Sequence, residues 1–478
     1  MSYDRATLRP RWLHIGFGAF ARAHPLFVLD QALQADASGQ WGAVVARLNS
    51  GQDDLDRLDQ AGGIYHVLEA DAQGLHATQV RCVIATCHPA RDGQEALPRI
   101  IASAELAVIS LTITEKGYCS GLDGLDFDLP VIKADLEGAR APRSAIGVLV
   151  AGLAQRRAAG HGGITLLACD NLSANGRKLA RAVGDFATAR DPDLARWIAD
   201  TCRFPCSMVD RIVPAMTPES HARITAHLGQ ADSSAVICEP FLQWVIEDDF
   251  AADRPPLSEG GALLVTDVEP YEEMKLRMLN GAHSLLALLG GQAGLETVDA
   301  CMADPLFAAA VERFHQLEAA PSLPPLPGID LADYSAQLHR RFANPALQHR
   351  TAQIASDTSQ KLPQRILAPL RWHLAQHGTV PPLSALALAS WLIWLLGTRD
   401  DGAALPVNDP QAEDLHEHLA AVPPDGDLVL AYLARYPGFG PDLAQDTRLA
   451  DALRLALHRL RSAGVRETLQ SLLSETYP

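Results

Sequence analysis

Lysine is nearly missing from this chain of 478 residues: of 40 basic residues only five are lysines, Lys116, Lys133, Lys178, Lys275 and Lys361. Arginine serves wherever a generic positive charge suffices, so a lysine marks a place where arginine cannot substitute. What arginine cannot do is release its proton near neutral pH. Lys133 and Lys178 read as ordinary surface residues. Also absent is any unbroken apolar run of about 18 residues, so no membrane span is expected. A basic surplus is missing too. The net charge of -17, with no basic stripe, argues against a nucleic-acid partner and leaves a small molecule. The opening "MSYDRATLRPRWLHIG" lacks the basic start, apolar middle and cleavage site of a secretory signal, so a cytoplasmic location is expected. Among the eight cysteines no paired C-x-x-C occurs, and H-E-x-x-H is absent. Cys82, Cys87 and His88, or Cys202 and Cys206, are the groupings nearest to a metal set, but their spacing fits none. Reduced, buried thiols and no metal are the expectation.

What is present is a globular composition, 48% apolar and 20% charged, on a chain long enough for two domains. In the first half, "RWLHIGFG", "WGAVVARL", "AVISLTIT", "GITLLACD" and "SAVICEPF" read as strands. Helical patterns such as "HPLFVLDQALQAD" and "SAIGVLVAGLAQRRAAG" lie between them. That alternation predicts a mostly parallel sheet covered by helices. From about residue 271 strand signals almost vanish, and helices follow with breaks at "APSLPPLPGID", "HGTVPPL" and "YPGFGPD". The expected fold is therefore α/β plus all-α: a Rossmann-type doubly wound sheet over 1–270 and a helical substrate and catalytic domain over 271–478.

"LHIGFGAFARAHP" sets Gly16 and Gly18 at the end of the first strand and Ala21 three positions on, the G-x-G-x-x-G/A pattern. Glycines there permit a tight turn and let a pyrophosphate approach a helix start. Gly16, Phe17, Gly18, Ala19 and Phe20 are thus candidate cofactor contacts. The second strand does not end in an acidic residue; Asp53 and Asp54 come slightly late for a ribose, and Arg47 could face a 2′-phosphate instead. NAD is expected, with NADP left open. In "TEKGY", Glu115 and Lys116 follow a strand and could lie near cofactor or substrate.

"YEEMKLRMLNGAHSLLALLGG" carries Glu272, Lys275, Asn280 and His283 inside an apolar helix. At ~100° per residue from Lys275, Glu272 falls at ~60°, His283 at ~80° and Asn280 at ~140°, one arc shared with Leu276 and Leu279. Such a face is either the solvated side of a helix end or a cavity wall. In a cavity, a desolvated lysine loses charge readily and can act as general base. Asn280 could then hydrogen-bond an alkoxide and His283 orient a hydroxyl, which suits removing a proton from a carbinol while a cofactor takes the hydride.

These residues, in K-x-x-x-x-N-x-x-H spacing, resemble the signature of the mannitol dehydrogenase family, the polyol-specific long-chain dehydrogenases. "FPCSMVDRIVP" and "CDNLSANG" are similar to two further family segments, in family order, and the likeness runs from "GFGAFARAHP" to "DTSQKLPQR". The resemblance implies a metal-independent NAD enzyme with Lys275 as acid/base. It also implies Asn171 and Asn280 as the oxyanion hole, Asp210 and His283 shaping the substrate site, and Glu272 as a proton-relay carboxylate. For "VDRI" a buried Asp210–Arg211 ion pair and direct substrate contact both stand. "SLTITEKGYC", "EPFLQWVIEDDF", "KLRMLNGAHS" and "RFANPALQHRTAQIASDTSQKLPQR" look most like the branch that reduces D-fructuronate to D-mannonate in hexuronate breakdown. Departures are Ala21, where the family usually has His, and Arg47, where that branch tends to have Asn. Mannitol-type members tend to have Arg at Gln353 and a Lys-Phe pair at Gln364 and Arg365. A uronate carries a carboxylate that a polyol lacks, so Arg365 with Lys361 is the candidate anchor, the alternative being a surface arginine after Pro363. Competing functions are a mannitol or arabinitol dehydrogenase, and an inactive dinucleotide-binding sensor. A monomer or small homo-oligomer is expected.

Overall fold

The structure, a computed structural model, describes residues 3–71, 73–121, 124–346 and 349–475. Two compact units divide at Glu269 and Pro270. In the first, five parallel strands form the central sheet: β1 (Arg9–Ile15), β2 (Trp41–Ala46), β3 (Val83–Cys87), β4 (Val108–Leu111) and β5 (Thr165–Ala168). Their spatial order is β3-β2-β1-β4-β5. The chain therefore reverses direction of growth between β1 and β4, and the crevice beyond their carboxyl ends is the place where such sheets bind ligands.

Period-two alternation builds a core on each face of this sheet. Trp12, Ala43, Val45, Val108 and Leu167 point into one apolar cluster, and Leu13, Ile15, Val44, Ile109 and Leu166 into the other. Both faces are buried, which is why these strands read as near-continuous apolar runs. The helix Ala145–Ala158 follows the predicted pattern, started by Ser144, whose hydroxyl accepts from the Gly147 amide at 2.9 Å.

Two expectations on strands are corrected. "SAVICEPF" does form Val236–Cys238, but that strand pairs with Tyr65–Asp71 in a separate three-stranded sheet completed by Gly74–Val80. The fifth central strand is instead β3, in the segment whose Cys82, Cys87 and His88 drew attention as possible ligands. β3 is an edge strand of five residues, buried only at its two ends, and so short an apolar run is a weak strand signal. A third sheet joins Ser207–Asp210, Gln243–Glu247 and Ala262–Val265. All eight cysteines are buried thiols.

The second unit is helical. Its central element runs through 269–292, and every residue of Gly281–Gln292 is buried. The helix Pro382–Leu396 packs along it, with Trp394 donating to the Leu288 carbonyl at 2.9 Å. Gly291 makes room for that indole: a Cβ there would meet Trp394 at 2.5 Å. A helix apolar all round is a core helix, and this one holds the candidate catalytic residues rigidly. Among the described residues no helix is long and apolar enough to cross a membrane.

Candidate active site

In the first unit the glycine turn leaves β1 at the switch point. Gly16 has φ of +109°, and a Cβ there would meet the Thr112 carbonyl oxygen at 2.0 Å, so only glycine fits. Thr112, at the end of β4, donates its hydroxyl to Gly16 O at 2.7 Å. Beneath lies a network absent from the sequence reading. His14 Nδ1 meets Ser110 Oγ at 2.7 Å, its Nε2 lies 3.0 Å from both Gly16 O and Thr112 Oγ1, and Trp12 donates to Ser110 at 2.6 Å. Complete burial lowers the His14 pKa to about 4, so a neutral imidazole clamps the turn.

Gly18 stands differently: nothing lies within 4 Å of where its Cβ would be. An open approach to backbone at this point is what a pyrophosphate needs, so the turn fits a dinucleotide. Gly16, Gly18, Ala19 and Phe20 line the open side, Phe20 stacked on His24 at 4.8 Å. Phe17 is a partial correction: its ring is buried edge-on to Tyr65, leaving only backbone for a cofactor. Arg47 follows β2 and donates to Phe17 O at 2.8 Å while pairing with Asp54 at 3.0 Å. Glu115 and Lys116 are exposed on the short turn Thr114–Gly117 after β4. That turn is held by Asp170, whose carboxylate accepts from the Ile113 and Thr114 amides and the Tyr118 hydroxyl at 2.9–3.0 Å. Burial raises the Asp170 pKa despite these donors.

Asn171 is exposed just past β5. The segment's structural residue is the neighbouring Asn175, which the motif "CDNLSANG" contained but the reading passed over. Its buried amide donates to Ala168 O, Asp170 O and Ser207 O at 3.2, 3.0 and 2.8 Å, and accepts from the Gly176 and Ser207 amides at 2.8 and 2.9 Å. It thereby ties the end of β5 to the strand ending in Asp210, itself buried. Arg211 is corrected. Its guanidinium is fully buried, donating to Glu239 O at 3.0 Å and Ala23 O at 2.7 Å and pairing with Glu69. With its donors engaged there, Arg211 is scaffold rather than a substrate contact, and its ion-pair partner is Glu69 rather than Asp210.

In the second unit the regular arc expected for the catalytic helix is also corrected. An α-helical Glu269–Met274 passes into a π-helical turn, Lys275–Asn280, before α-helix resumes at Gly281. A π turn takes more residues per turn than an α-helix, so Lys275 and Asn280 lie closer in angle than the ~140° of a regular α-helix. His315 Nε2 lies 3.1 Å from Met278 O within this turn; burial lowers the His315 pKa to about 3, so the ring is neutral, and because a carbonyl only accepts, Nε2 carries the hydrogen and donates. Lys275, Asn280 and His283 are all buried, and Glu272 is partly exposed. Burial, reinforced by the nearby His349, Arg365 and Arg341, pushes the His283 pKa well down; its ring lies 4.5 Å from Phe342 and 5.3 Å, edge-on, from His349. A neutral imidazole there can accept or donate to a hydroxyl.

Arg365 belongs to this cluster rather than to the surface. It sits in a second π-helical turn, Pro363–Leu367, which packs on the first. Nη1 lies 3.5 Å from Asn280 O and 3.2 Å from Ser284 Oγ. Gly281 permits the approach: a Cβ would stand 3.0 Å from Arg365 O and from Phe314. Burial lowers the Arg365 pKa to about 10. Lys361 donates to Ile354 O at 3.2 Å and to Ser356 O, and burial first, then Arg365, lowers its pKa.

A 3-2-1-4-5 parallel sheet with an open glycine turn at its switch point, carried with a helical unit bearing a buried lysine, amide and imidazole, defines a Rossmann-type oxidoreductase. The chain belongs to the mannitol dehydrogenase family. The mannitol dehydrogenase Rossmann domain matches residues 10–259 and the mannitol dehydrogenase C-terminal domain residues 267–461. It is 41% identical to D-mannonate oxidoreductase of Escherichia coli, over 98% of this chain and 97% of that one. It is 35% identical to mannitol 2-dehydrogenase of Cereibacter sphaeroides, over 99% and 98%. Among solved structures, the Pseudomonas fluorescens mannitol 2-dehydrogenase ternary complex with NAD and D-mannitol superposes with a TM-score of 0.82 at 33% identity, covering 99% of this chain and 96% of that one. The protein is an oxidoreductase of this family acting on a CH–OH group.

Proposed function

We propose that the protein reduces the ketone of D-fructuronate to the carbinol of D-mannonate, reversibly, with NADH as the reductant. The observation that carries this reading is Arg365: a largely desolvated but still accessible guanidinium whose partners among the described residues are a carbonyl and a hydroxyl, with no carboxylate, beside Asn280. A desolvated cation with no counter-ion among the described residues is costly, and a substrate carboxylate in its two-donor fork would offset that cost. Lys361, with two carbonyls on its ammonium, adds positive potential. The 41% identity to D-mannonate oxidoreductase supports the same substrate.

In this reading the backbone of Gly16 to Phe20 holds the dinucleotide, with Glu115 and Lys116 near it. Bound NADH supplies the hydride to the ketone carbon. Lys275 Nζ gives its proton to the ketone oxygen, and takes it back from the carbinol in the reverse direction. Asn280, brought angularly closer to Lys275 by the π turn, and Asn171 donate hydrogen bonds to the oxygen as charge develops. Neutral His283 and Asp210 orient substrate hydroxyls, and Glu272 relays the proton of Lys275 to water. Reduction needs the ammonium and oxidation the amine, so reduction is favoured at lower pH and oxidation at higher.

The test is nicotinamide oxidation by the purified protein with D-fructuronate, D-tagaturonate and D-fructose. D-Fructuronate is expected to give the highest kcat/KM. Preference for D-fructose moves the protein to the polyol branch, and binding of NADH without turnover of any of the three overturns catalysis itself.

A further inference from the structure

The end of β2 carries an arrangement that the reaction chemistry leaves unused. Asp54, in the first turn of the helix Gln52–Gln60, is gripped by two guanidiniums: Arg47 Nη2 at 3.0 Å from one carboxylate oxygen and Arg57 Nη2 at 2.5 Å from the other. Arg47 is fixed from the other side by its bond to Phe17 O inside the glycine turn. Its Nε is buried and finds no hydrogen-bond partner, so the guanidinium is incompletely satisfied. Gly51, at φ of +80°, brings the backbone directly against it. In a sheet of this order the second strand's carboxyl end faces the adenosine ribose, where a carboxylate favours a 2′-hydroxyl and an arginine a 2′-phosphate. This chain has both, locked together.

We propose that the Arg47–Asp54–Arg57 cluster selects the cofactor, with Asp54 acting as an internal stand-in for the 2′-phosphate. While Asp54 occupies the two guanidiniums their donors are engaged and their charge is partly offset, and a 2′-phosphate meets a carboxylate and enters only by displacing it. NAD(H) is preferred for that reason. Removing the carboxylate's charge exposes a two-arginine fork of the geometry that phosphate takes. The inference rests on the dinucleotide reading above.

The experiment is a titration of the full-length protein with NADH and with NADPH, followed by nicotinamide fluorescence, for the wild type, Asp54→Asn, and Asp54→Asn combined with Arg47→Gln. Asp54 is partly exposed in the first turn of its helix, so the near-isosteric asparagine variant is expected to fold. The wild type should bind NADH more tightly. Asp54→Asn should shift the ratio of the two dissociation constants toward NADPH by about tenfold or more, about 1.4 kcal/mol. The shift should shrink at high salt and be lost in the double variant. An unchanged ratio in Asp54→Asn, or a shift that survives Arg47→Gln, overturns the selector. A wild type that binds neither nucleotide overturns the dinucleotide reading instead.

Discussion

Arg365 offers the sharpest perturbation, because its proposed role and its structural cost point in opposite directions. Arg365→Met keeps the length and most of the apolar stem and removes the charge. If the guanidinium holds the uronate carboxylate, the charge-assisted bond lost is worth about 1.5–3 kcal/mol, so kcat/KM for D-fructuronate falls about 10- to 150-fold. D-Fructose has no carboxylate and should change within about threefold. Stability should move the other way. Burial holds the Arg365 pKa at about 10, below the usual guanidinium value. The charged form is therefore disfavoured by folding, a penalty of up to about 3 kcal/mol that is fully present below pH 10 and relieved as pH rises through it. Removing the cation removes the penalty, so the variant should melt at the same temperature or higher. The assay is steady-state kinetics on both substrates at neutral pH beside thermal unfolding. Equal losses on both substrates, or a fall in Tm without substrate selectivity, would refute the anchor and return Arg365 to a packing role.

Three further outcomes are expected. Lys275→Met should lower kcat by about 10²- to 10⁴-fold with little change in dinucleotide affinity measured by fluorescence, and near-normal kcat would remove Lys275 from proton transfer. Asn175→Ala abandons five hydrogen bonds and leaves buried backbone partners unmet, so unfolding in urea should show a loss of about 3 kcal/mol; a loss under about 1 would mean water replaces the amide. His14 and His315, with pKa values lowered to about 4 and about 3, are neutral in the fold, whereas the unfolded chain protonates them near pH 6.5. Their contribution is intact above pH 6.5 and lost as pH falls, about 2 kcal/mol each by pH 5, so the urea midpoint should drop between pH 7 and 5, and a flat profile would contradict their burial as neutral groups.

The sequence by itself determined whatever depends on short spacing. The glycine turn after β1 was legible because a positive φ against Thr112 admits only glycine, and the helical second half because its apolar periods run unbroken. Lys275, Asn280 and His283 stood out because polar residues in an apolar helix must be explained. Tertiary structure alone decided the rest. The π turn arises where His315, distant in sequence, reaches Met278 O, so no local period announces it. β3 was hidden because its apolar run is only five residues long and an edge position buries only part of it, and Val236–Cys238 belonged to another sheet because pairing is a long-range choice. Arg211 and Arg365 are the same residue type beside the same kinds of motif. The first has its guanidinium engaged by Glu69 and two carbonyls, and the second meets no carboxylate among the described residues, a difference set by what folds against each side chain rather than by its neighbours in the chain.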